Sequence, residues 1–285
     1  LKILNMDNYS FSEKIDEVIY TQEEPFRSTS IFMQYFIMEE SSKNGCKVLL
    51  DGQGGDETLL GYERYYPAYF KSLNFFARLK EFFYSISNSK INFIKMIAYI
   101  LYFSFSNIRL FILRLKNRGI KKKYFELISK NLIIQNCNAY KNMFNLQYIE
   151  IYNTQLSRLL KYEDKNSMRN SVETRLPFID YNVLETALSL KSESKINNGW
   201  TKYILRMSMS DILPKDVVWR KNKIGFEAPQ KTWIESNISE IKKEILESAI
   251  LKEIYNELKI DKLNDNLIWK LFCISKWEKI YNVEL

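Results

Sequence analysis

Residues 51–57 read DGQGGDE, directly after the apolar run Val48, Leu49, Leu50 and before Thr58, Leu59, Leu60 and Gly61. A short buried strand that empties into three glycines and three carboxylates brings backbone amides and metal-binding oxygens together where an anionic ligand can sit. Gly52, Gly54 and Gly55 allow the backbone close approaches that side chains forbid, so their amides are expected to face a phosphate or ribose. Asp56, at the start of the next helix, is within reach of Mg²⁺. By composition alone the same stretch also describes a glycine-rich turn with Asp56 as a simple N-cap.

The rest of the chain narrows the chemistry. There is no histidine, which removes Ser/His and Cys/His nucleophile pairs and the commonest zinc ligand. Reactions must run on Asp, Glu, Lys, Arg, Tyr and backbone amides. Cys46, Cys137 and Cys273 are far apart, without CxxC spacing, and read as small buried or half-buried hydrophobes. No charged segment followed by an apolar one opens the sequence, so a cytoplasmic setting is expected.

The net charge is +8, and its location matters. Between Lys71 and Lys130 thirteen Lys or Arg face only Glu81 and Glu126, leaving the remainder of the chain slightly acidic. The basic character is therefore assigned to one insertion and not to the glycine loop, and nucleic-acid binding is not expected.

The elements that must position the loop follow from periodicity. Ile31, Phe32, Tyr35, Phe36 and Met38 recur at helical spacing, predicting a helix over 29–42 ended by Asn44 and Gly45. A strand over 47–50 follows at once. Helix, short link, apolar strand and glycine turn form the grammar of a parallel sheet, whose ligands bind beyond the carboxyl ends of the strands.

Residues 70–140, rich in Phe, Tyr, Ile and Lys, read as a helical insertion of aromatic helices packed on one another. The uncharged run 96–108 is too short to cross a bilayer. Tyr152, Leu156, Leu159 and Leu160 predict a further helical stripe. Residues 160–180, LKYEDKNSMRNSVETRLPFID, read as a charged, solvated stretch followed by a helix with Val183, Leu184, Ala187 and Leu188 inward. Gly199 and Thr201 open a helix through Met207, and a closing helix places Leu267, Leu271 and Ile274 on one face.

Four blocks in order, VLLDGQGGDETLLGY, YEDKNSMRNSVETRLPFID, GWTKYILR and WRKNKIGFEAP, resemble the synthetase domain of glutamine-dependent asparagine synthetases. The resemblance implies an α/β fold, an adenine-nucleotide alpha-hydrolase-like parallel sheet with helices, largely helical in this chain. It implies one partial synthetase domain over 1–285, with 70–140 an insertion. It also implies ATP and Mg²⁺, with aspartate and ammonia as substrates: the aspartate side chain is adenylated and ammonia displaces AMP. Asp51, Gly52, Gly54 and Gly55 then lie against the nucleotide, and Asp56 binds Mg²⁺ on the pyrophosphate. Lys223 neutralises charge on the phosphates, as adenylation through a charge-spread transition state requires. Glu173 and Arg175 border the cleft.

Two departures stand out. The third loop residue is Gln53, where well-studied family members carry a glutamate; an amide can hold a substrate but cannot accept a proton at neutral pH. No SGGLDS-type loop and no amino-terminal glutaminase cysteine occur in the sequence. The chain is therefore read as the later part of a synthetase domain, truncated at its amino end, inactive alone and exposing strand edges and apolar helix faces. The glutaminase domain is an expected partner, and a homodimer is compatible with the reading. The alternatives are a non-catalytic remnant whose insertion docks a partner, and an amidotransferase with another carboxylate acceptor.

Overall fold

The structure is a computed structural model that describes residues 3–4, 8–117, 119–127, 130–221 and 228–284. Its first half begins with helices α1 (Asn8–Gln22) and α2 (Thr29–Lys43), then strand β1 (Val48–Leu50) and the one-turn α3 (Gly55–Thr58). The insertion follows as α4 (Tyr66–Ser72), α5 (Phe75–Ser87), α6 (Phe93–Ser104), α7 (Ser106–Lys116), α8 (Lys122–Glu126) and α9 (Lys130–Ala139). Next come α10 (Met143–Tyr152), α11 (Gln155–Arg169), strand β2 (Glu173–Arg175), α12 (Tyr181–Ser189), α13 (Ser192–Lys195), α14 (Tyr203–Met209) and α15 (Lys215–Val218). The chain closes with α16 (Gln230–Ser236), α17 (Ile238–Glu247), α18 (Ala249–Ile254) and α19 (Asp265–Ile280).

Helix α2 forms as its pattern predicts. The Ser28 hydroxyl caps it by accepting from Ser30 N at 3.2 Å, and Ile31, Phe32, Tyr35 and Met38 are buried. It stops at Asn44, with Gly45 at a φ of 77° that a side chain rarely adopts. The strand that follows pairs in parallel with β2, Val48 opposite Glu173 and Leu50 opposite Arg175. Among the described residues these are the two strands of the sheet, and the molecule is mostly helical. Ile3 and Leu4 carry no strand.

Two apolar cores flank this pair. One gathers Phe11, Phe32, Trp233, Trp269 and Phe272 from α1, α2, α16 and α19. The other gathers Leu60, Tyr66, Tyr69, Met96, Tyr140 and Leu146 from the turn after α3 and from α4, α6, α9 and α10. Because α2 belongs to the first and the turn after α3 to the second, β1 and the glycine loop lie at their seam.

Several expectations change. β1 is not buried: Val48 is 43% and Leu50 76% exposed, because β2 alone pairs with it and no described layer covers that face. The stripe through Tyr152 is broken at Asn153 and Thr154, leaving Tyr152 exposed on α10 and Leu156 buried on α11. Val183 faces outward while Ala187 is buried, and α14 starts at Tyr203. The expected face of α19 is retained, with Leu271 buried and Leu267 and Ile274 packed against the core. Cys46 is exposed, in contrast to buried Cys137 and Cys273.

The insertion is helical as expected, but its helices are not simply packed on each other. No residue of α7 is buried, and Phe76, Phe93, Ile94, Leu101 and Phe111 are exposed. No single described helix is long and apolar enough to cross a membrane; α6 and α7 together pass by composition but meet at a bend of 105°.

Candidate functional site

The β1–β2 ladder runs directly into the loop, since Asp51 N donates to Arg175 O at 3.0 Å. The loop then folds on itself. Gly52 N donates to the Asp51 carboxylate, and Gly55 N to Gly52 O at 3.3 Å. Two amides expected to face a ligand are thus engaged inside the turn. Gly54 has φ of 87°, and a Cβ on it would lie 2.4 Å from Ile179 Cγ2. The glycine requirement here comes from packing against the 177–179 turn as well as from backbone conformation. Gly52 has no atom near its open side, so that face of the loop is where a ligand can approach.

The three carboxylates diverge rather than converge. Glu57 is 1% exposed and accepts from the Tyr62 hydroxyl at 2.7 Å; burial raises its carboxyl above the usual range. Asp56 pairs with Lys202 Nζ at 2.9 Å. Asp51 is exposed, its carboxylate accepting from Gly52 N. The arrangement leaves Asp56 as the carboxylate that fronts a cavity.

Lys202, which the sequence reading did not single out, is held with care. A Cβ on Gly61 would sit 1.9 Å from Asp56 Oδ1 and 2.4 Å from Lys202 Cε, so only glycine admits the ion pair. Lys202 itself has φ of 51° at the start of α14. The turn before it is clamped by the insertion: the Glu81 carboxylate on α5 accepts from Asn198 N and Gly199 N, each at 2.9 Å, and the Tyr66 hydroxyl donates to Gly199 O at 2.7 Å. In the sequence, Lys202 is present in the block GWTKYILR, but its αL conformation and its partner Asp56 are visible only in the fold.

Asp56, Gly61 and Lys202 form one wall of a cavity of about 1040 Å³. Lys90, Lys95 and Lys116 of the insertion stand on another, with Arg206 and Arg220 nearby. The separation of insertion charge from glycine loop expected from sequence is therefore corrected, since folding brings both to one cavity. Arg206 is fixed by donating to Thr201 O at 2.8 Å and to Val218 O, with its guanidinium 4.9 Å from the Trp200 ring centroid. A concave surface with this excess of cations attracts polyanions.

Helix α11 overturns the solvated reading of residues 160–169. Tyr162, Glu163, Asn166 and Ser167 are buried, whereas Asp164 and Arg169 remain exposed. Asn166 is fully paired: it accepts from Gln22 Nε2 at 2.6 Å and donates to Ile31 O at 2.9 Å and Gln34 Oε1 at 3.1 Å. Glu163 differs from it: neither of its oxygens has a hydrogen-bond partner among the described residues. Burial first, and then the charge of Asp51, push its carboxyl up to about 8. Glu173 and Arg175 pair with each other at 2.8 Å on the exposed face of β2, not across the cavity.

A second buried network supports α3 from behind. Lys195, 2% exposed, donates to Gln147 Oε1 at 2.8 Å and Ala187 O at 2.7 Å, while the Gln147 amide donates to Glu57 O at 3.1 Å and to Thr58 O. Burial lowers this lysine to about 8.

Lys223 lies outside the described residues. Among the described ones no group of three or more His, Cys, Asp or Glu is placed to hold a metal. Asp56, with Glu63 also lining the cationic cavity, does fit Mg²⁺ that arrives on phosphates, since that ion keeps several waters and uses only one or two protein carboxylates. Gln53 stays on the loop, half-buried.

The asparagine synthase family matches residues 2–270. An asparagine synthetase (glutamine-hydrolysing) 1 of Bacillus subtilis is 25% identical over 99% of this chain and 48% of its own length. The asparagine synthetase (glutamine-hydrolysing) of Gallus gallus is 36% identical over 25% of this chain and 14% of its own. The chain thus spans about half the length of the first of these relatives or less.

Proposed function

The chain belongs to the asparagine synthase family, a family of ATP-dependent ligases, and from that premise we propose that it carries the adenylating site of an asparagine synthetase. In this reading its two strands belong to an adenine-nucleotide alpha-hydrolase-like parallel sheet. ATP lies over Asp51, Gly52, Gly54 and Gly55, and Mg²⁺ on its phosphates is held by Asp56. The metal supplies charge neutralisation on the pyrophosphate; the chain's own part is to bind, orient and neutralise. The aspartate side chain is adenylated with release of pyrophosphate, and ammonia then displaces AMP to give asparagine.

The observation that supports this most is the placement of Asp56. It leads out of a parallel strand through a glycine loop and stands on the wall of a cavity lined by Lys90, Lys95, Lys202 and Arg206. Cations and a metal-binding carboxylate around one space are what a pyrophosphate-releasing step needs from a protein. Lys202 joins Lys223 in this role, and the ion pair it makes with Asp56 holds the carboxylate in place at the cavity.

The ammonia source, a glutaminase domain, the homodimer and the cytoplasmic setting are parts of the same proposal. The chain by itself is proposed to be inactive in the full reaction. Aspartate-dependent exchange of labelled pyrophosphate into ATP tests the adenylating site, and absence of exchange with the full-length protein would refute it.

A second reading keeps the chemistry and changes the acceptor. A cavity of about 1040 Å³ with insertion lysines on its wall exceeds the needs of one aspartate and is at the upper end of small-ligand sites. A larger polyanionic carboxylate fits that space. Mass spectrometry of products formed with aspartate and competing carboxylic acids separates the two acceptors.

A further inference from the structure

Glu81 stands on α5 of the insertion and is 7% exposed. It is met by two consecutive backbone amides of the segment before α14: one oxygen accepts from Asn198 N and the other from Gly199 N, each at 2.9 Å. Hydrogen bonds to an ionised acceptor are roughly twice as strong as neutral ones. The carbonyls of the same two residues are held as well. Asn88, the C-cap of α5, donates from Nδ2 to Asn198 O at 2.9 Å, and the Tyr66 hydroxyl of α4 donates to Gly199 O at 2.7 Å. The polar backbone groups of Asn198 and Gly199 are thus taken up by side chains of α4, α5 and the α5 cap. The backbones also touch, since a Cβ on Gly199 would lie 2.2 Å from Tyr84 C and O.

The gripped segment is itself constrained. Asn198, Gly199 and Lys202 have φ of 48°, 72° and 51°. Two of these carry side chains, and a left-handed backbone there persists only where the surroundings impose it. Asn197 and Trp200 exchange backbone hydrogen bonds at 3.1 and 2.9 Å, which closes the segment into one tight turn. Lys202 follows two residues later, with Nζ 2.9 Å from Asp56 on the cavity wall. Moving the turn therefore moves the lysine. A tie that only joined α5 to the rest of the chain would not need a left-handed lysine at its end.

We infer that Glu81 is a positioning residue of the adenylating site: by holding the peptide units of Asn198 and Gly199 it fixes Lys202 beside Asp56, and so makes α5 a working part of the cavity. The insertion is then no separable appendage. This inference rests on the adenylating reading, in which Lys202 neutralises charge on the phosphates. A glutamine in place of Glu81 keeps the size and one acceptor, but its NH₂ group would face a backbone N–H, so one of the two bonds is lost together with the charge.

The test is a double-substitution cycle on pyrophosphate exchange in the full-length protein. Lys202→Met is expected to lower exchange by about a hundredfold, as for one lost transition-state stabilising group. Glu81→Gln should lower it by about tenfold through misplacement of that group. In the Lys202→Met background the same Glu81→Gln change should cost less than about twofold more, because it acts through the lysine already removed. Glu81→Asp, which keeps the charge, should recover part of the loss, and it carries the cycle if Glu81→Gln does not fold. A second readout needs no activity: modification of Lys202 by an amine reagent, followed by mass spectrometry, should speed up about tenfold in Glu81→Gln, the equivalent of one lost hydrogen bond, with Lys90 unchanged. No loss of exchange in Glu81→Gln, equal losses in both backgrounds, or an unchanged rate of modification at Lys202 overturns the inference. If the parent shows no exchange with any acid, the adenylating reading has failed instead, and the modification rate alone decides whether Glu81 holds Lys202.

Discussion

Helix α11 and the helices α6 and α7 invert each other. The first carries the most charged stretch near the glycine loop, KYEDKNSMR, yet buries Glu163, Asn166 and Ser167. The others include the strongly apolar α6, yet expose Phe93, Ile94 and Leu101 on α6 and Phe111 and Leu115 on α7. The difference is one of neighbours. α11 is enclosed by α1, α2, α10 and β2, and its Asn166 is met by Gln22, Gln34 and Ile31 O. α6 presents Met96 to the core, Lys95, Tyr99 and Tyr102 to the cavity, and a third side to solvent. Composition sets what a helix could bury; the number of surfaces around it sets what it does bury.

This contrast can be broken or sharpened by substitution. The largest effect is expected at the cavity wall: Asp56→Asn should lower aspartate-dependent pyrophosphate exchange by about a hundred to a thousandfold, the usual consequence of losing one transition-state stabilising group. Retention of full exchange would remove Asp56 from the metal's coordination. Next is Asn166→Leu, which removes a partner from Ile31 O and Gln34 Oε1 and leaves Gln22 Nε2 only its 3.4 Å bond to Tyr162 O. It should destabilise by about 2–4 kcal/mol in denaturant melts, at about 1–3 kcal/mol for each buried group left unpaired.

Buried Lys195 gives a pH-dependent case. Its pKa in the folded state, about 8, is below the ordinary lysine value of 10.5, so between these limits the unfolded chain binds more protons. The penalty is complete below pH 8, and stability recovers as pH rises from 8 to 10.5, by up to about 1.4 kcal/mol per unit. Lys195→Met should flatten that segment of the stability curve, and an unchanged slope would show that Lys195 is not its source. The smallest effect belongs to the exposed side of the insertion. Ile94→Ser and Phe111→Ser should each change stability by less than about 0.5 kcal/mol in thermal melts, whereas a loss of several kcal/mol would mean that these side chains are covered.

The glycine loop, its strand and α2 were legible because their causes are local: a φ of 77° at Gly45, a φ of 87° at Gly54 and an apolar run of three residues announce themselves in sequence. The exposure of β1 and the divergence of Asp51, Asp56 and Glu57 were not legible, because each depends on what stands opposite. Ile179 and Phe178 crowd the loop from one side, and Tyr62 draws Glu57 inward. Lys202 was quoted within its block but gained meaning only when Gly61 left room for it beside Asp56. Likewise Glu163 read as one charge among several until α11 was seen to turn it inward.

By itself the sequence determined the chemistry available to this protein: no histidine, a glycine-rich turn after a strand, carboxylates and lysines in four ordered blocks, and through them the family. Tertiary structure alone decided which of those groups meet. Ion pairs such as Asp56–Lys202 and hydrogen bonds such as Gln22–Asn166 join residues more than a hundred positions apart. Their partners and burial are set by packing at the seam of two cores, which no local pattern encodes.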